Sequence, residues 1–328
     1  MDAWNINSWE AYRDVRRLGR KSRLPEVQRI ALWEIFASVK VALKQQNLLT
    51  WSILFSELAD HIAAAKHRPF DYVVVDEAQD ISVAQLKFVS AITKNKADGL
   101  FFAGDLGQRI FQQPFSWKSL GVDIRGRSRT LKINYRTSHQ IRTQADRLLS
   151  SSISDVDGNA ESRAGTISIF NGAPPLIKVL DDQQAEADFV VNWIQDRLNG
   201  SLAPHEIGVF VRSASELERA VEVAEKLGCQ YKVLDETFEN THGSLILSTM
   251  HLAKGLEFRA VIVMACDDEV IPSQQRIETV ADETDLEEVY STERHLLYVA
   301  CTRARDYLLV TGCDPASEFL DDLLLTGR

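Results

Sequence analysis

Residues 73–80 read VVVDEAQD, so two acids follow directly on a short run of valines. A β-branched run of this length, bounded by polar residues, is typical of a parallel strand that is buried on both faces. Because open α/β sheets bind ligands at the carboxyl ends of their strands, Asp76 would hold Mg²⁺ there, and Glu77 would orient or deprotonate the water that attacks a nucleotide. The same acids would also suit the first turn of a surface helix, where the helix dipole favours negative charge. This stretch by itself leaves both interpretations open.

Composition restricts the classes of protein to which the chain can belong. Its 328 residues suit about two domains, and its hydrophobic fraction of 45% is ample for buried cores. The net charge of −10 argues against a protein that overall positive charge holds on nucleic acid. The first ten residues lack the pattern of a signal peptide, and no stretch approaches the ~18 apolar residues of a membrane span. We therefore expect a cytoplasmic protein with no membrane partner and only local contacts with nucleic acid.

The spacing of apolar residues predicts a helical segment followed by two α/β parts. Residues 1–69 carry apolar side chains at intervals of three and four, which is typical of helices. Residues 70–150 and residues 151–328 each alternate short apolar strands with helices, which predicts a parallel sheet in each part. The acid-rich segment Glu278–Glu288 predicts a solvated loop. The expected strands are Val73–Val75, Leu100–Ala103, Ile207–Val211, Leu245–Ser248, Ala260–Met264 and Tyr307–Thr311, and the expected helices include Val83–Ile92, Gln184–Leu198, Ala214–Leu227 and Thr292–Thr302.

Four further blocks of sequence follow the first one in order. Residues 100–108 read LFFAGDLGQ, residues 134–138 read NYRTS, residues 248–258 read STMHLAKGLEF, and residues 293–304 read ERHLLYVACTRA. Each block alone is weak evidence, since a Gly-Asp pair after a strand is a common turn. Gln108, however, would lie just past the strand that follows the valine strand, where a neutral amide can sense a terminal phosphate.

The five blocks, in this order and spacing, resemble motifs II to VI of the UvrD/Rep/PcrA-type superfamily 1 DNA helicases, over about Phe70 to Thr311. The resemblance implies two RecA-like domains of the phosphate-loop NTPase type, the first of them incomplete, after an N-terminal helical segment that is the remainder of an accessory 1B-like domain. It also implies ATP and Mg²⁺ as cofactors, single-stranded or partly duplex DNA as partner, and movement from 3′ to 5′. Only about a hundred residues separate Tyr135 from Thr249, so we expect the accessory 2B-type insertion to be absent or reduced.

The resemblance assigns catalytic roles residue by residue. It implies that Asp76 coordinates Mg²⁺, that Glu77 is the catalytic base, and that Gln108 contacts the γ-phosphate or its attacking water. It also implies that Arg136 and Arg303 reach the γ-phosphate, where a positioned arginine can be worth roughly 10³–10⁵ in rate. The alternative for Arg303 is an ion pair with Glu77 or Asp80 across the two domains.

Three more residues would bind the nucleotide if the resemblance holds. Tyr135 would stack on the adenine, Glu257 would bind the ribose, and Gly255 would allow the backbone to approach closely. The alternative for Tyr135 is a half-buried position in the core.

The resemblance also implies contacts with DNA. Phe111, Phe115 and Trp117 follow Gln108, and the family places aromatic residues after this motif where unpaired bases stack. The family's compact aromatic-Gly-Trp run is interrupted here, so the sequence leaves open whether Phe111 or Trp117 stacks on a base or packs in the core. Thr249 and His251 are similar to the family's DNA-facing residues that link strand binding to the ATP site.

The 328 residues contain no Gly-x-x-x-x-Gly-Lys-Ser/Thr phosphate loop. Such a loop supplies backbone amides for the β-phosphate and a lysine for the β/γ oxygens, so nucleotide affinity falls without it. We therefore expect the chain to be the C-terminal portion of a longer helicase, or to receive the loop from a separate chain, and to be inactive alone. The alternative is a non-hydrolysing, helicase-like regulatory or scaffold protein that binds DNA or a partner.

Overall fold

Two α/β units make up the chain. The computed structural model describes residues 6, 8–14, 25–65, 68–93, 98–110, 115–150, 152–155, 157–158, 160–162, 165–235, 242–280 and 282–324. The first unit comprises Met1–Arg129 with Ser154–Glu161, and the second comprises Thr130–Ile153 with Ser162–Arg328. Among the helices within these described ranges, none has the length and apolar character needed to cross a membrane.

The first unit begins with helices and continues with two parallel strands. The helices are α1 (Trp9–Asp14), α2 (Glu26–Gln45), α3 (Trp51–Ala64) and α4 (Val83–Ile92), and the strands are β1 (Val73–Val75) and β2 (Leu100–Phe102). The predicted helix Val83–Ile92 is confirmed. Ser82 caps it, because its hydroxyl accepts a hydrogen bond from the Gln85 N–H while Gln85 Oε1 accepts one from the Ser82 N–H.

The expectation that the valine strand is buried on both faces is wrong. Strands β1 and β2 pair in parallel, but Val74 and Phe101 are 71% and 63% exposed. The neighbouring side chains point to the opposite face, where Phe102 packs with Ile81 and Leu86. In the described part of this unit the sheet has two strands, and its packing layer covers one face only.

The second unit contains a six-stranded parallel sheet. The strand order is β7-β12-β11-β8-β10-β9, and every neighbouring pair is parallel. The expected α/β class with parallel sheets is thereby confirmed. The strands of the second part of the chain are β3 (Ile133–Asn134), β4 (Ser152–Ser154), β5 (Ala160–Ser162), β6 (Ile167–Ser168), β7 (Leu176–Leu180), β8 (Ile207–Val211), β9 (Tyr231–Val233), β10 (Leu245–Thr249), β11 (Phe258–Val263) and β12 (Ala304–Cys313).

Six helices accompany this sheet among the described residues. They are α5 (His139–Ala145), α6 (Gln183–Asn199), α7 (Leu217–Leu227), α8 (Gln274–Glu278), α9 (Glu283–Cys301) and α10 (Glu318–Leu324). Apolar residues of α6 and α7 pack with the buried strands β8, β10 and β11 in one core, while α9 packs against β11 and β12. Strand β8 is buried at all five positions, as expected for the interior of a parallel sheet.

The prediction of a solvated loop over Glu278–Glu288 is partly wrong. Helix α8 ends at Glu278, but α9 already begins at Glu283. The Asp282 carboxylate accepts a hydrogen bond from the Asp285 N–H at 2.9 Å and caps the helix. Acids in the first turn of a helix are favoured by its dipole, so an acid-rich stretch here starts a helix instead of extending a loop.

A buried ionic cluster joins α6, α7 and the ends of β11 and β12. The guanidinium of Arg219 pairs with Glu186 and with Asp267, whose Oδ2 lies 2.5 Å from its Nη1. Glu186 Oε1 also accepts hydrogen bonds from the Ala265 N–H and the Thr311 hydroxyl. Burial opposes the charge on Arg219, but its carboxylate partners outweigh burial and raise its pKa. Arg219 therefore supplies a positive charge that Glu186 and Asp267 share.

We predict that Arg219→Ala lowers the free energy of unfolding of the second unit by about 3–5 kcal/mol, because it leaves Glu186 and Asp267 without their buried cation. Lys226→Ala is the matched control on the same helix, since its ion pairs with Asp188 and Glu222 lie at the surface and contribute little. Urea unfolding followed by circular dichroism measures both variants. Similar losses in the two would contradict the prediction.

Candidate functional site

The two acids after β1 lie in a tight turn at the carboxyl edge of the first sheet. Glu77 has φ 51° and ψ 39°, in the left-handed region, and its N–H donates to Asp76 Oδ1 at 2.9 Å. Both acids are exposed, and the next α-helix begins only at Val83. The acids therefore precede a single 3-10 turn over Ala78–Asp80 and do not begin a surface α-helix. A left-handed non-glycine residue costs about 1–3 kcal/mol and is typical of functional sites.

A hydrogen-bonded network connects this turn to the loop after β2. Gln79 Nε2 donates to Glu77 Oε2 at 2.5 Å, and Gln79 Oε1 accepts from the Asp105 N–H at 3.1 Å. The Asp105 carboxylate then accepts from the Gln108 side-chain amide and from the Gly107 N–H, both at 2.8 Å. The structure thus brings the predicted residues Glu77 and Gln108 into one network.

Gln79 and Asp105 belong to this network, although the sequence motifs did not predict a role for either residue. Both belong to the quoted blocks, but a glutamine two residues after an acid carries no signal by itself. Only the pairing of β1 with β2 puts the two side chains in contact. A useful signal is the glycine before Asp105, because a Cβ at Gly104 would lie against Gln79 Oε1.

Trp117 packs partly inside the first unit. Its ring lies 4.7 Å from that of Phe102 on the covered face of the sheet and 6.5 Å from that of Phe115. Trp117 is neither fully buried nor fully exposed, so its stacking on a base stays a prediction. Phe111 lies outside the described residues.

The second unit brings together Arg136 and Glu257. The Asn134 side chain accepts hydrogen bonds from the N–H groups of Arg136 and Thr137, which forms the turn that carries Arg136. Arg136 Nε lies 3.0 Å from Glu257 Oε2, and both side chains are about half exposed. Tyr135 beside them is 68% exposed, so its alternative as a half-buried core residue does not describe this structure. Gly255 has φ +80° in the adjoining turn, where a side chain would be strained.

Arg303 lies inside the second unit. Its side chain is fully buried, its Nε donates to the Val299 carbonyl at 3.0 Å, and its Nη1 donates to the Leu256 carbonyl at 3.5 Å. The arginine therefore braces the segment that carries Glu257 in this structure. Its reach to a γ-phosphate stays a prediction.

Thr249 ends β10, and His251 follows in a single helical turn over Met250–Ala253. Burial and the positive charge of Arg212 lower the pKa of His251. Arg212 is itself held by a two-pronged hydrogen bond to the buried Glu293, at 2.6 Å for each contact. Burial and the nearby positive charge therefore both favour the neutral form of the His251 imidazole. Its contact with DNA stays a prediction.

Among the described residues, one group of three side chains has the geometry of potential metal ligands: Glu186, Asp267 and Cys313. Arg219 hydrogen-bonds all three, so the cluster already holds a cation. Asp76 fits Mg²⁺ better, because its exposed carboxylate lies at the carboxyl edge of a parallel sheet and magnesium prefers such oxygen ligands.

Two family models match the chain. Residues 14–117 match the UvrD/REP helicase N-terminal domain, and residues 232–314 match the UvrD-like helicase C-terminal domain. The two matched segments together cover more than half of the chain and include four of the five motif blocks. The chain belongs to the UvrD/Rep-type superfamily 1 helicases.

The chain is also similar to individual helicases. It is 26% identical over 279 residues to DNA helicase IV of Escherichia coli, which covers 81% of this chain and 37% of the relative. It is 25% identical over 265 residues to a probable DNA helicase of Mycoplasma pneumoniae, and this match covers 78% of this chain and 45% of the relative. The solved C-terminal domain of a possible DNA helicase from Lactobacillus plantarum is 23% identical, with a TM-score of 0.41, and the match covers 58% of this chain and 94% of that one. The chain spans less than half the length of these curated relatives.

We predict that the free energy of unfolding of Glu77→Gly exceeds that of Glu77→Ala by about 1 kcal/mol, because glycine adopts the left-handed conformation without the Cβ penalty. Urea unfolding measures the difference. Both variants remove the same carboxylate, so each serves as the other's control. Equal stabilities would show that the turn after β1 is not strained.

We predict that His251 titrates below the usual histidine value of about 6.5 in a proton NMR titration. A histidine pKa that is lower in the folded state means that the unfolded state binds more protons. Stability is then fully present above the unfolded pKa and is lost as the pH falls toward the folded pKa. His251→Gln should lose less stability than the wild type between pH 7 and pH 5, and an identical pH dependence would contradict this.

Proposed function

We propose that residues 1–328 are the ATPase and DNA-translocating module of a UvrD/Rep-type helicase, which couples ATP hydrolysis to movement on single-stranded or partly duplex DNA from 3′ to 5′. The network from Glu77 through Gln79 and Asp105 to Gln108 carries this proposal. It provides a carboxylate and a neutral amide at the carboxyl edge of a parallel sheet. Phosphoryl transfer depends on groups positioned in this way, because the protein contributes little covalent chemistry.

Each side chain has a definite task in this proposal. Glu77 accepts the proton of the attacking water, and Gln108 holds that water or a γ-phosphate oxygen. Asp76 would hold Mg²⁺, which supplies charge neutralisation to the β- and γ-phosphates when it is bound with ATP. Tyr135 offers its exposed ring to the adenine.

The Arg136–Glu257 pair suits a site that opens for a nucleotide. A half-exposed ion pair contributes about 0–1 kcal/mol, so it is broken at low cost. Glu257 is then available to a ribose hydroxyl, and Arg136 to a γ-phosphate oxygen. Arg303 would have to break its hydrogen bonds to the Val299 and Leu256 carbonyls before it could reach the γ-phosphate. Moving Arg303 therefore costs more free energy than moving Arg136.

Turnover requires a phosphate loop from outside these 328 residues, either in an upstream part of a longer polypeptide or in a separate chain. The first unit supports this requirement. Its described sheet has two strands and leaves Val74 and Phe101 exposed on one face. Unpaired strand edges are favourable sites for further strands, and an exposed apolar face is a favourable site for another packing layer. The 328-residue chain alone is therefore inactive in this proposal.

Contacts with DNA are the part of the proposal that depends most on family resemblance. We assign them to Trp117 and Phe111 after β2, and to Thr249 and His251 after β10. A base stacked on an aromatic ring is worth about 1–3 kcal/mol, so Trp117→Ala offers a direct test of which ring stacks.

A second candidate function is a non-hydrolysing, helicase-like scaffold that binds DNA or a partner. The buried position of Arg303 and the missing phosphate loop favour it. Against it stands the Glu77–Gln108 network, which a scaffold does not need.

ATP hydrolysis stimulated by single-stranded DNA separates the two candidates. We define the loop-containing form as these 328 residues joined to, or mixed with, the natural segment that supplies the phosphate loop. We predict turnover by this form and none by the 328-residue chain alone. Glu77→Gln in the loop-containing form should abolish turnover while single-stranded DNA still binds in a fluorescence anisotropy assay.

Three outcomes would contradict the proposal. Robust turnover by the 328-residue chain would rule out the need for an external loop. Failure of the loop-containing form to hydrolyse ATP would favour the scaffold. Normal turnover by Glu77→Gln would refute the assignment of Glu77 as the base.

A further inference from the structure

We propose that Gln79 is a positioning residue, which fixes the Glu77 carboxylate for proton transfer and ties it to the loop that carries Gln108. The inference rests on the proposed function and assigns a task to a residue that the five motifs leave without one. Gln79 is only 7% exposed, and both ends of its amide are used.

The chemistry of the two partners fixes the orientation of this amide. A carboxylate can only accept a hydrogen bond, and a backbone N–H can only donate one. The NH₂ group of Gln79 must therefore face Glu77, and its carbonyl oxygen must face the Asp105 N–H. A glutamate at this position would lack the donor, and a methionine would lack both the donor and the acceptor.

Glu77 needs such a restraint because the backbone leaves its side chain at the surface. The residue is exposed and follows the strand in a left-handed turn. A free surface carboxylate samples several rotamers, and the misplacement of a reacting group by about 1 Å can cost 10²-fold in rate. The 2.5 Å contact from the buried Gln79 selects one position for the oxygen.

Gly104 provides independent support for a dedicated place for this amide. Its φ is not positive, so the backbone conformation does not require glycine. A Cβ at position 104 would, however, displace the Gln79 amide, because it would meet Gln79 Oε1, and it would lie a close 3.2 Å from the backbone nitrogens of Ala78 and Gln79. The glycine keeps open the place that the Gln79 amide occupies.

The same amide makes the two sides of the site move together. The Asp105 N–H binds Gln79, while the Asp105 carboxylate holds the Gln108 side chain. A displacement of the loop after β2 therefore moves Gln108 and pulls on the hydrogen bond that orients Glu77. Gln79 thereby links the base to the residue that contacts the γ-phosphate or its water.

The kinetic test uses the loop-containing form. Gln79→Met keeps the buried volume and removes both hydrogen bonds. We expect kcat for ATP hydrolysis to fall by about 100-fold, while KM for ATP and affinity for single-stranded DNA change by less than about twofold. Gln85→Ala is the matched control: Gln85 caps α4 and does not contact Glu77, so its loss should affect stability but not kcat.

Gln79→Glu supplies a readout that a purely structural role would not move. Its carboxylate keeps an oxygen that can accept from the Asp105 N–H, but when ionised it offers no hydrogen to Glu77. We expect the Asp105 amide to stay protected from hydrogen exchange in Gln79→Glu while kcat falls as it does in Gln79→Met. A kcat close to that of the wild type in Gln79→Glu would overturn the proposal.

The 328-residue chain alone tests the contact itself. Hydrogen exchange measured by NMR should show protection of the Asp105 amide in the wild type and in Gln85→Ala, and loss of protection in Gln79→Met. A protected Asp105 amide in Gln79→Met would overturn the inference whether or not ATP is hydrolysed. If Glu77→Gln abolishes turnover but Gln79→Met retains it, this inference fails and the proposed function stands; normal turnover by Glu77→Gln refutes the base assignment itself.

Discussion

The parallel pairing of β1 with β2 is the constraint on which the candidate site depends. The register aligns Val75 with Phe102, so both strands end at the same level. The turn with Asp76 and Glu77 and the loop with Asp105 and Gln108 therefore begin side by side. The backbone continues this alignment, since the Ala103 N–H donates to the Val75 carbonyl and the Ala78 N–H donates to the Ala103 carbonyl, both at 2.8 Å. Side-chain contacts between the two loops follow from this geometry.

In the second unit, a larger parallel sheet likewise brings separate segments of the chain together. Its interior strands are buried, and segments from three motif blocks meet around them. Arg136 contacts Glu257 at the surface, while Arg303 is held by the carbonyls of Val299 and Leu256 inside. The buried pairs of Arg212 with Glu293 and of Arg219 with Glu186 fix the surrounding helices. The exposed pair is easily broken and the buried pairs are not, so the proposed function assigns any motion on nucleotide binding to the exposed residues.

Most of the fold follows from local patterns in the sequence, and most of the site contacts do not. Apolar runs located six strands, and the alternation of strands with helices located α4 at its observed ends, whereas the two edge strands of the larger sheet, β7 and β9, were not predicted. The exposure of Val74 could not be predicted, because it depends on how many strands and helices cover the sheet. The role of Asp282 as a cap was hidden in an acid-rich stretch that resembles a loop. The role of Gln79 could not be predicted from the sequence, because it depends on a contact with Asp105. That residue is 26 positions away and is brought near only by the strand pairing.

In the proposed function, Glu77 is oriented by Gln79 and faces the attacking water of an ATP site. A structure of the loop-containing form with Mg²⁺, ADP and aluminium fluoride would test it most directly. We expect a Glu77 oxygen within hydrogen-bonding distance of the water opposite the leaving group, with the Gln79 amide still on the other carboxylate oxygen and the Gln108 side chain at the fluoride. A nucleotide bound away from the carboxyl edge of β1 and β2, or a Glu77 side chain turned out of the site, would contradict it.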